Sequence, residues 1–281
     1  MIHPSKLKSL AHLIVKNVVF MNNKCNALVT ASSRGIGFQA ALALAEKGCN
    51  VAINSRNQKN LEAAARKLRG FVGNKVGVEE IKGDMSKHDD VKKLYAEAVK
   101  KLGGLDVIVM SYGNPPCEPC ELIDTGYEDW SYAFNLYISS TMEMMKSAYL
   151  YGTSKTSFVI ISSFSAYHPM GPTSLSDIIR GSLPALVKTY SRLYPEKIRA
   201  NLLVLGSFKT EGATSLIKKL SEEEGVDEAT YWKEFVEGIS PLRRAGRFEE
   251  LREVISWLAF APEYLTGSVI VFDGGTLNCI L

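Results

Sequence analysis

The chain has 281 residues, 46% of them hydrophobic, and a formal net charge of +3 from 33 basic and 30 acidic side chains. That length suits one substantial core, and the interspersed charges lack the basic block of a nucleic-acid footprint, so a small-molecule partner is expected. No apolar run reaches the ~18 residues of a membrane span, and five cysteines in so long a chain fit a reducing cytoplasm better than a secreted disulfide scaffold.

The first twenty residues, MIHPSKLKSLAHLIVKNVVF, join lysines to an apolar stretch, but Lys16 and Asn17 interrupt it and no small-residue cleavage site follows. Leu7, Leu10, Ala11, Ile14 and Val18 follow helical spacing, so residues 1–22 read as an amphipathic extension, with Met21 an alternative start. From there the pattern alternates short β-rich runs with longer amphipathic ones. Strands are expected at NALVT (26–30), NVAIN (50–54), GVEEIK (77–82), LDVIVM (105–110), SFVIIS (157–162), ANLLVL (200–205) and SVIVF (268–272). The clearest helix runs from Lys87 to Leu102, with Val91, Leu94, Tyr95, Ala98 and Leu102 on one stripe and a Gly-Gly pair ending it. Seven mainly parallel strands with helices on both faces make a doubly wound α/β domain over residues 23–281. Ligands bind such sheets at the carboxyl ends of the strands, where the strand order reverses.

The first strand leads into TASSRGIG (30–37) and then an alanine-rich helix. Gly35 and Gly37 at a helix start allow a pyrophosphate to approach the backbone, where free N–H groups and the helix dipole favour negative charge. The segment resembles the T-G-x-x-x-G-x-G loop of the short-chain dehydrogenase/reductase superfamily, with Ala31 in place of the first glycine. Further landmarks follow in that family's order: KGDMS (82–86), VLGSFKT (204–210), PLRRAGRFEELREVISWLAF and LTGSVIVFDGG. The resemblance spans residues 24 to 276 and implies a Rossmann-type fold. It also implies a cofactor site of Thr30, Ser32, Ser33, Arg34, Gly35, Ile36 and Gly37, with Asp84 and Met85 near adenine, Gly113 after the fourth strand, and Gly206 and Thr210 near the nicotinamide. NAD-preferring members place an aspartate at the end of the second strand, where this chain reads NSRN. Arg56 and Arg34 offer planar cationic forks for a 2′-phosphate, so NADP(H) is expected over NAD(H).

The family's chemistry uses a serine after the fifth strand, a tyrosine about thirteen residues on, and a lysine four beyond. Here those positions hold Ser163, Ser176 and Arg180, so Ser-x-x-x-Arg replaces Tyr-x-x-x-Lys at the start of an expected long helix over 174–194. A tempting match, YGTSK (151–155), precedes the fifth strand and falls at the amino end of the sheet, the wrong end for a ligand. The family's asparagine position falls on Tyr137, with Asn135 two residues away and recoverable only through a local register shift. Family members also form homodimers or homotetramers, and the resemblance extends that expectation here.

Cys117 and Cys120 form a C-x-x-C pair, read as loop cysteines because no second pair stands at zinc-ligand spacing; no metal site is expected. Residues 211–240 occupy the place of a substrate lid. Two functions follow from the resemblance. One is an NADP(H)-dependent oxidoreductase acting on a carbonyl or alcohol, with Ser163 on the carbonyl, Arg180 on the nicotinamide ribose, and Ser176, Tyr112, Tyr167, His168 or water relaying the proton. The other is a dinucleotide-binding protein without turnover, a sensor or partner subunit, because serine is a far weaker acid than tyrosine and arginine does not release its proton.

Overall fold

The computed structural model describes residues 25–279, so the extension expected over residues 1–22 lies outside the described residues. All seven expected strands form. They are β1 (Asn26–Val29), β2 (Asn50–Ser55), β3 (Val78–Lys82), β4 (Val107–Met110), β5 (Thr156–Ser163), β6 (Ile198–Leu205) and β7 (Val269–Phe272). Every neighbouring pair is parallel, in the order β3-β2-β1-β4-β5-β6-β7. The order reverses between β1 and β4, which opens a crevice at their carboxyl ends.

Side chains alternate between two buried faces, as strand geometry requires. Ala27, Val29, Val107 and Val109 pack with α1 (Gly35–Glu46), α2 (Gln58–Val72) and, later in the chain, the helix Phe248–Ala259. Leu28, Ile108, Met110 and Phe158 pack on the other face with α3 (His88–Leu102), whose expected glycine stop is Gly103 in a left-handed conformation at φ 87°. On that face α4 (Tyr127–Phe134) runs through a single π-helical turn, Asn135–Ser139, into α5 (Ser140–Tyr151).

The long helix expected over 174–194 is two helices, α6 (Ser174–Arg180) and α7 (Leu183–Leu193). The break falls at Gly181 and Ser182, and Pro184, in the first turn of α7, disfavours a continuous helix through its ring and missing N–H. Residues 211–240, expected as a lid, comprise α8 (Glu211–Glu224), α9 (Glu228–Tyr231) and a π turn, Trp232–Glu237, before α10 (Phe248–Ala259). They carry a small core of their own, Ile217, Tyr231, Trp232 and Val236, separate from the two cores of the sheet. Cys25 and Cys49, at the amino ends of β1 and β2, form a disulfide. The odd cysteine count thus conceals one pair beside three free thiols, Cys117, Cys120 and Cys279.

Candidate active site

At the carboxyl end of β1 the chain turns under tight constraints. The buried Thr30 hydroxyl donates to the Ser111 carbonyl at 2.6 Å and accepts the Ser111 N–H at 2.9 Å. Ser32 Oγ, also buried, donates to the Val29 carbonyl at 2.7 Å and accepts the Asn54 N–H at 2.9 Å. Both hydroxyls fasten the turn to β4 and β2 and so shape the loop from behind. A Cβ on Gly37 would lie 2.4 Å from the Ala31 carbonyl oxygen, so this contact between α1 and the turn admits only glycine. Helix α1 opens with no side-chain cap and no acidic residue in its first turn. Its N–H groups and the positive end of its dipole are therefore left for an anion.

Of the remaining expected cofactor residues, Thr210 lies against this turn. Thr210, the N-cap of α8, stands 3.4 Å from where a Cβ of Gly35 would be, so the loop after β6 reaches across the turn. Gly206 passes so close to Asp273 that a Cβ would sit 2.7 Å from that backbone. Asp84 Oδ1 accepts from the Ser86 amide and hydroxyl, with Met85 buried beside it and Gly113 exposed after β4. Ser33 and Ile36 are half-buried and Arg34 is exposed. Arg56, directly after β2, donates from Nη1 to Tyr132 Oη at 2.8 Å, across from α4. Among the described residues neither Arg34 nor Arg56 has a carboxylate partner. A bare helix start, a glycine contact closed to side chains and two cations without carboxylate partners fit a phosphorylated dinucleotide.

The catalytic end is arranged differently from the expectation. Ser176 is buried, and its Oγ lies 3.0 Å from Tyr137 Oη. Arg180 Nη2 donates to that same phenol at 2.7 Å, its guanidinium lies over the Tyr137 ring at 4.7 Å, and Asp177 stands 3.7 Å away. The guanidinium that the resemblance assigned to the ribose is thus held by Tyr137 and Asp177. Burial raises the Tyr137 pKa; Arg180 lowers it and Glu118 raises it, and the net shift is upward, so the phenol stays protonated. The π turn delivers Tyr137 to this spot and leaves Asn135 exposed, in a hollow with Met85, Ser86 and His88. The local register shift at the π turn thus delivers Tyr137, and not Asn135, to this cluster.

Ser163, the last residue of β5, accepts from the Ser165 amide at 3.2 Å and hydroxyl at 2.9 Å within its own 3-10 turn, Phe164–Ala166. The other proposed proton donors lie outside the cluster's hydrogen bonds. Tyr112 bonds Thr141 and burial raises its pKa, Tyr167 is half-buried against the core, and His168 is exposed. Tyr151 is exposed and Lys155 pairs with Glu263, immediately before β5. Seven residue steps along β5 separate that end from Ser163, roughly 23 Å at about 3.3 Å per residue. Cys117 and Cys120 are half-buried, and burial first, then hydrogen bonding to Cys120 and nearby negative charge, push the Cys117 thiol up to about 12. A thiol so protonated is a poor nucleophile and metal ligand.

The model of the family described as Enoyl-(Acyl carrier protein) reductase matches residues 30–276. The chain belongs to the short-chain dehydrogenase/reductase superfamily of oxidoreductases. Within this superfamily it is 31% identical over 254 residues to human dehydrogenase/reductase SDR family member 4, covering 89% of this chain and 86% of the relative. It is 31% identical over 253 residues to glucose 1-dehydrogenase of Gluconobacter oxydans strain 621H, covering 88% and 90%. In fold it resembles L-sorbose reductase of Gluconobacter frateurii, crystallised with NADPH and L-sorbose, at TM-score 0.80, 22% identity and 92% and 98% coverage. A single-substitution variant of actinorhodin polyketide ketoreductase, crystallised with NADPH, superposes at TM-score 0.83, 19% identity and 91% and 98% coverage.

Three residues at this short-chain dehydrogenase/reductase site were not singled out by sequence. Tyr137 was visible by counting seven from Trp130, but only as a missing asparagine. Glu118 was overshadowed by the cysteines on either side of it. Its carboxylate accepts the Ser176 N–H at 2.8 Å. Tyr132, the partner of Arg56, left no signal, because only the fold brings residues 76 apart in sequence together.

Proposed function

We propose that the protein is an NADP(H)-dependent oxidoreductase that interconverts a small carbonyl compound and its alcohol at a modified active site. The observation that carries the cofactor choice is Arg56 at the end of β2, where no carboxylate waits for a free ribose hydroxyl, together with Arg34 at the N-cap of α1. The NADPH complexes of the two structural neighbours support the same reading. The turn over residues 30–37 would hold the pyrophosphate, Asp84 and Met85 the adenine side, and Gly113, Gly206 and Thr210 the remainder. When bound, the dinucleotide supplies or accepts the hydride. Ser163 would hydrogen-bond the reacting oxygen, and Arg180 supplies positive potential beside it. Burial of Ser176 and Tyr137 favours a second reading, a dinucleotide-binding protein without turnover.

Titration calorimetry with NADPH and NADH, followed by NADPH oxidation against a panel of ketones, aldehydes and sugars, separates these readings. Tighter NADPH binding with turnover of at least one carbonyl is expected. Equal affinities remove the NADP(H) assignment, and tight NADPH binding with no turnover selects the binding protein.

A further inference from the structure

Arg56 is held at both ends of its side chain. At the root, Ser55 Oγ accepts the Asn57 N–H at 3.2 Å, and Asn57 Oδ1 accepts the Asn60 N–H at 3.0 Å to cap α2, so the backbone on either side of the arginine is fixed. At the tip, Nη1 donates to Tyr132 Oη at 2.8 Å. That phenol is itself anchored. Its ring packs on a core of the sheet, and the start of α4 is tied down where Gly126 N–H donates to Asp129 Oδ2 and Trp130 Nε1 donates to Thr125 Oγ1, both at 3.0 Å.

Other arginines of the chain are held differently. Arg69, Arg244 and Arg252 each donate to a carboxylate, those of Glu80, Glu250 and Glu249, and an arriving anion would have to compete with it. A phenol hydroxyl takes one hydrogen bond without bringing a negative charge, so Arg56 is positioned and its cation left uncompensated. Its Nε and Nη2 edge makes no hydrogen bond among the described residues, and that planar edge is the one that grips a phosphate through two parallel bonds. An exposed arginine ordinarily loses rotamer freedom when a ligand fixes it, and one already fixed loses less.

We propose that Tyr132 is a positioning residue that sets cofactor specificity: its hydroxyl holds the Arg56 guanidinium ready for the 2′-phosphate of NADP(H). The inference rests on the NADP(H) reading above and adds to it a residue of α4, 76 positions away from the arginine it serves. Discrimination against NAD(H) is then shared between the charge of Arg56 and the group that orders it. Removing the Tyr132 hydroxyl frees the arginine without removing its charge, so part of the preference for NADP(H) is lost and the rest remains.

The test is calorimetric titration of the wild type, Tyr132→Phe, Arg56→Ala and the double variant with NADPH, NADH, adenosine 2′,5′-bisphosphate and adenosine 5′-monophosphate. Tyr132→Phe keeps the ring on the core and removes only Oη. It should weaken NADPH and the bisphosphate about three- to tenfold, the size of one hydrogen bond, with NADH, the monophosphate and Tm unchanged. In the Arg56→Ala background the same change should cost nothing further, because Tyr132 acts through Arg56 alone. A second readout needs no change at Tyr132: in the cofactor-free wild type, the nitrogen-15 NMR signal of the Arg56 side chain, assigned with Arg56→Lys, should report a restricted guanidinium. An unchanged ratio of NADPH to NADH affinity in Tyr132→Phe, tighter NADPH binding that makes the phenol a competitor, or a freely rotating guanidinium overturns the role of Tyr132 and leaves the NADP(H) reading in place. A wild type that binds NADPH and NADH equally overturns that reading and this role with it.

Discussion

The two ends of the crevice resemble the superfamily pattern to different degrees. At the turn after β1, Ala31 stands where the family has glycine, yet the architecture persists, because Ala31 itself adopts φ 45° and the backbone does the shaping. At the start of α6, where the resemblance leads one to expect a tyrosine and a lysine, the chain has Ser176 and Arg180, with Tyr137 from the π turn and Glu118 from the loop after β4 hydrogen-bonded to Ser176. A site made of backbone N–H groups survives changes in side chains. A site made of side-chain termini survives only by recruiting new ones, and recruitment can come from any segment that packs nearby.

The sharpest way to break the comparison is Gly37→Ala. With a Cβ 2.4 Å from the Ala31 carbonyl, α1 must move, so a stability loss of about 3 kcal/mol and failure of NADPH binding are expected, read by urea unfolding and calorimetry. A stable, NADPH-binding Gly37→Ala would show that the cofactor end is not backbone-defined. Arg56→Ala tests the one part of that end that is a side chain. Losing a charge-assisted bond of about 1.5–3 kcal/mol predicts roughly 10- to 100-fold weaker NADPH binding with NADH binding little changed. If both cofactors weaken alike, Arg56 acts through its contact with Tyr132 and not through a phosphate. The smallest effect is Ala31→Gly. Relief of left-handed strain, less the added freedom of the unfolded chain, leaves a gain of about 0.5–1 kcal/mol in urea unfolding.

The same contrast explains what the sequence could reveal. Strands covered on both faces must be apolar along their length, so β4, β5 and β6 announce themselves with VIVM, FVIIS and ANLLVL. Gly35 and Gly37 are legible because their backbone demands leave little choice of residue. The Glu118–Ser176–Tyr137 network is not, because its members come from a loop, a helix start and a π turn, and no periodicity forecasts where an α-helix takes up an extra residue. Even the break between α6 and α7 had a local cause in plain view, Pro184, hidden by the expectation of one long helix.

The separate cluster within residues 211–240 has an energetic consequence of its own. Its four buried hydrophobic residues, Ile217, Tyr231, Trp232 and Val236, form a cluster apart from the two cores of the sheet, and Lys209 over the Trp232 ring and the Ser240 hydroxyl on the Gly274 carbonyl tie the segment to the loops at the sheet's edge. So small a cluster gives a free energy of local opening well below that of global unfolding. Residues 211–240 are therefore expected to open as a cooperative piece while the seven strands stay intact. If residues 211–240 cover the crevice as the resemblance implies, the residence time of a bound molecule would depend on the cohesion of those four side chains, and a change there would alter dissociation rates without altering the fold.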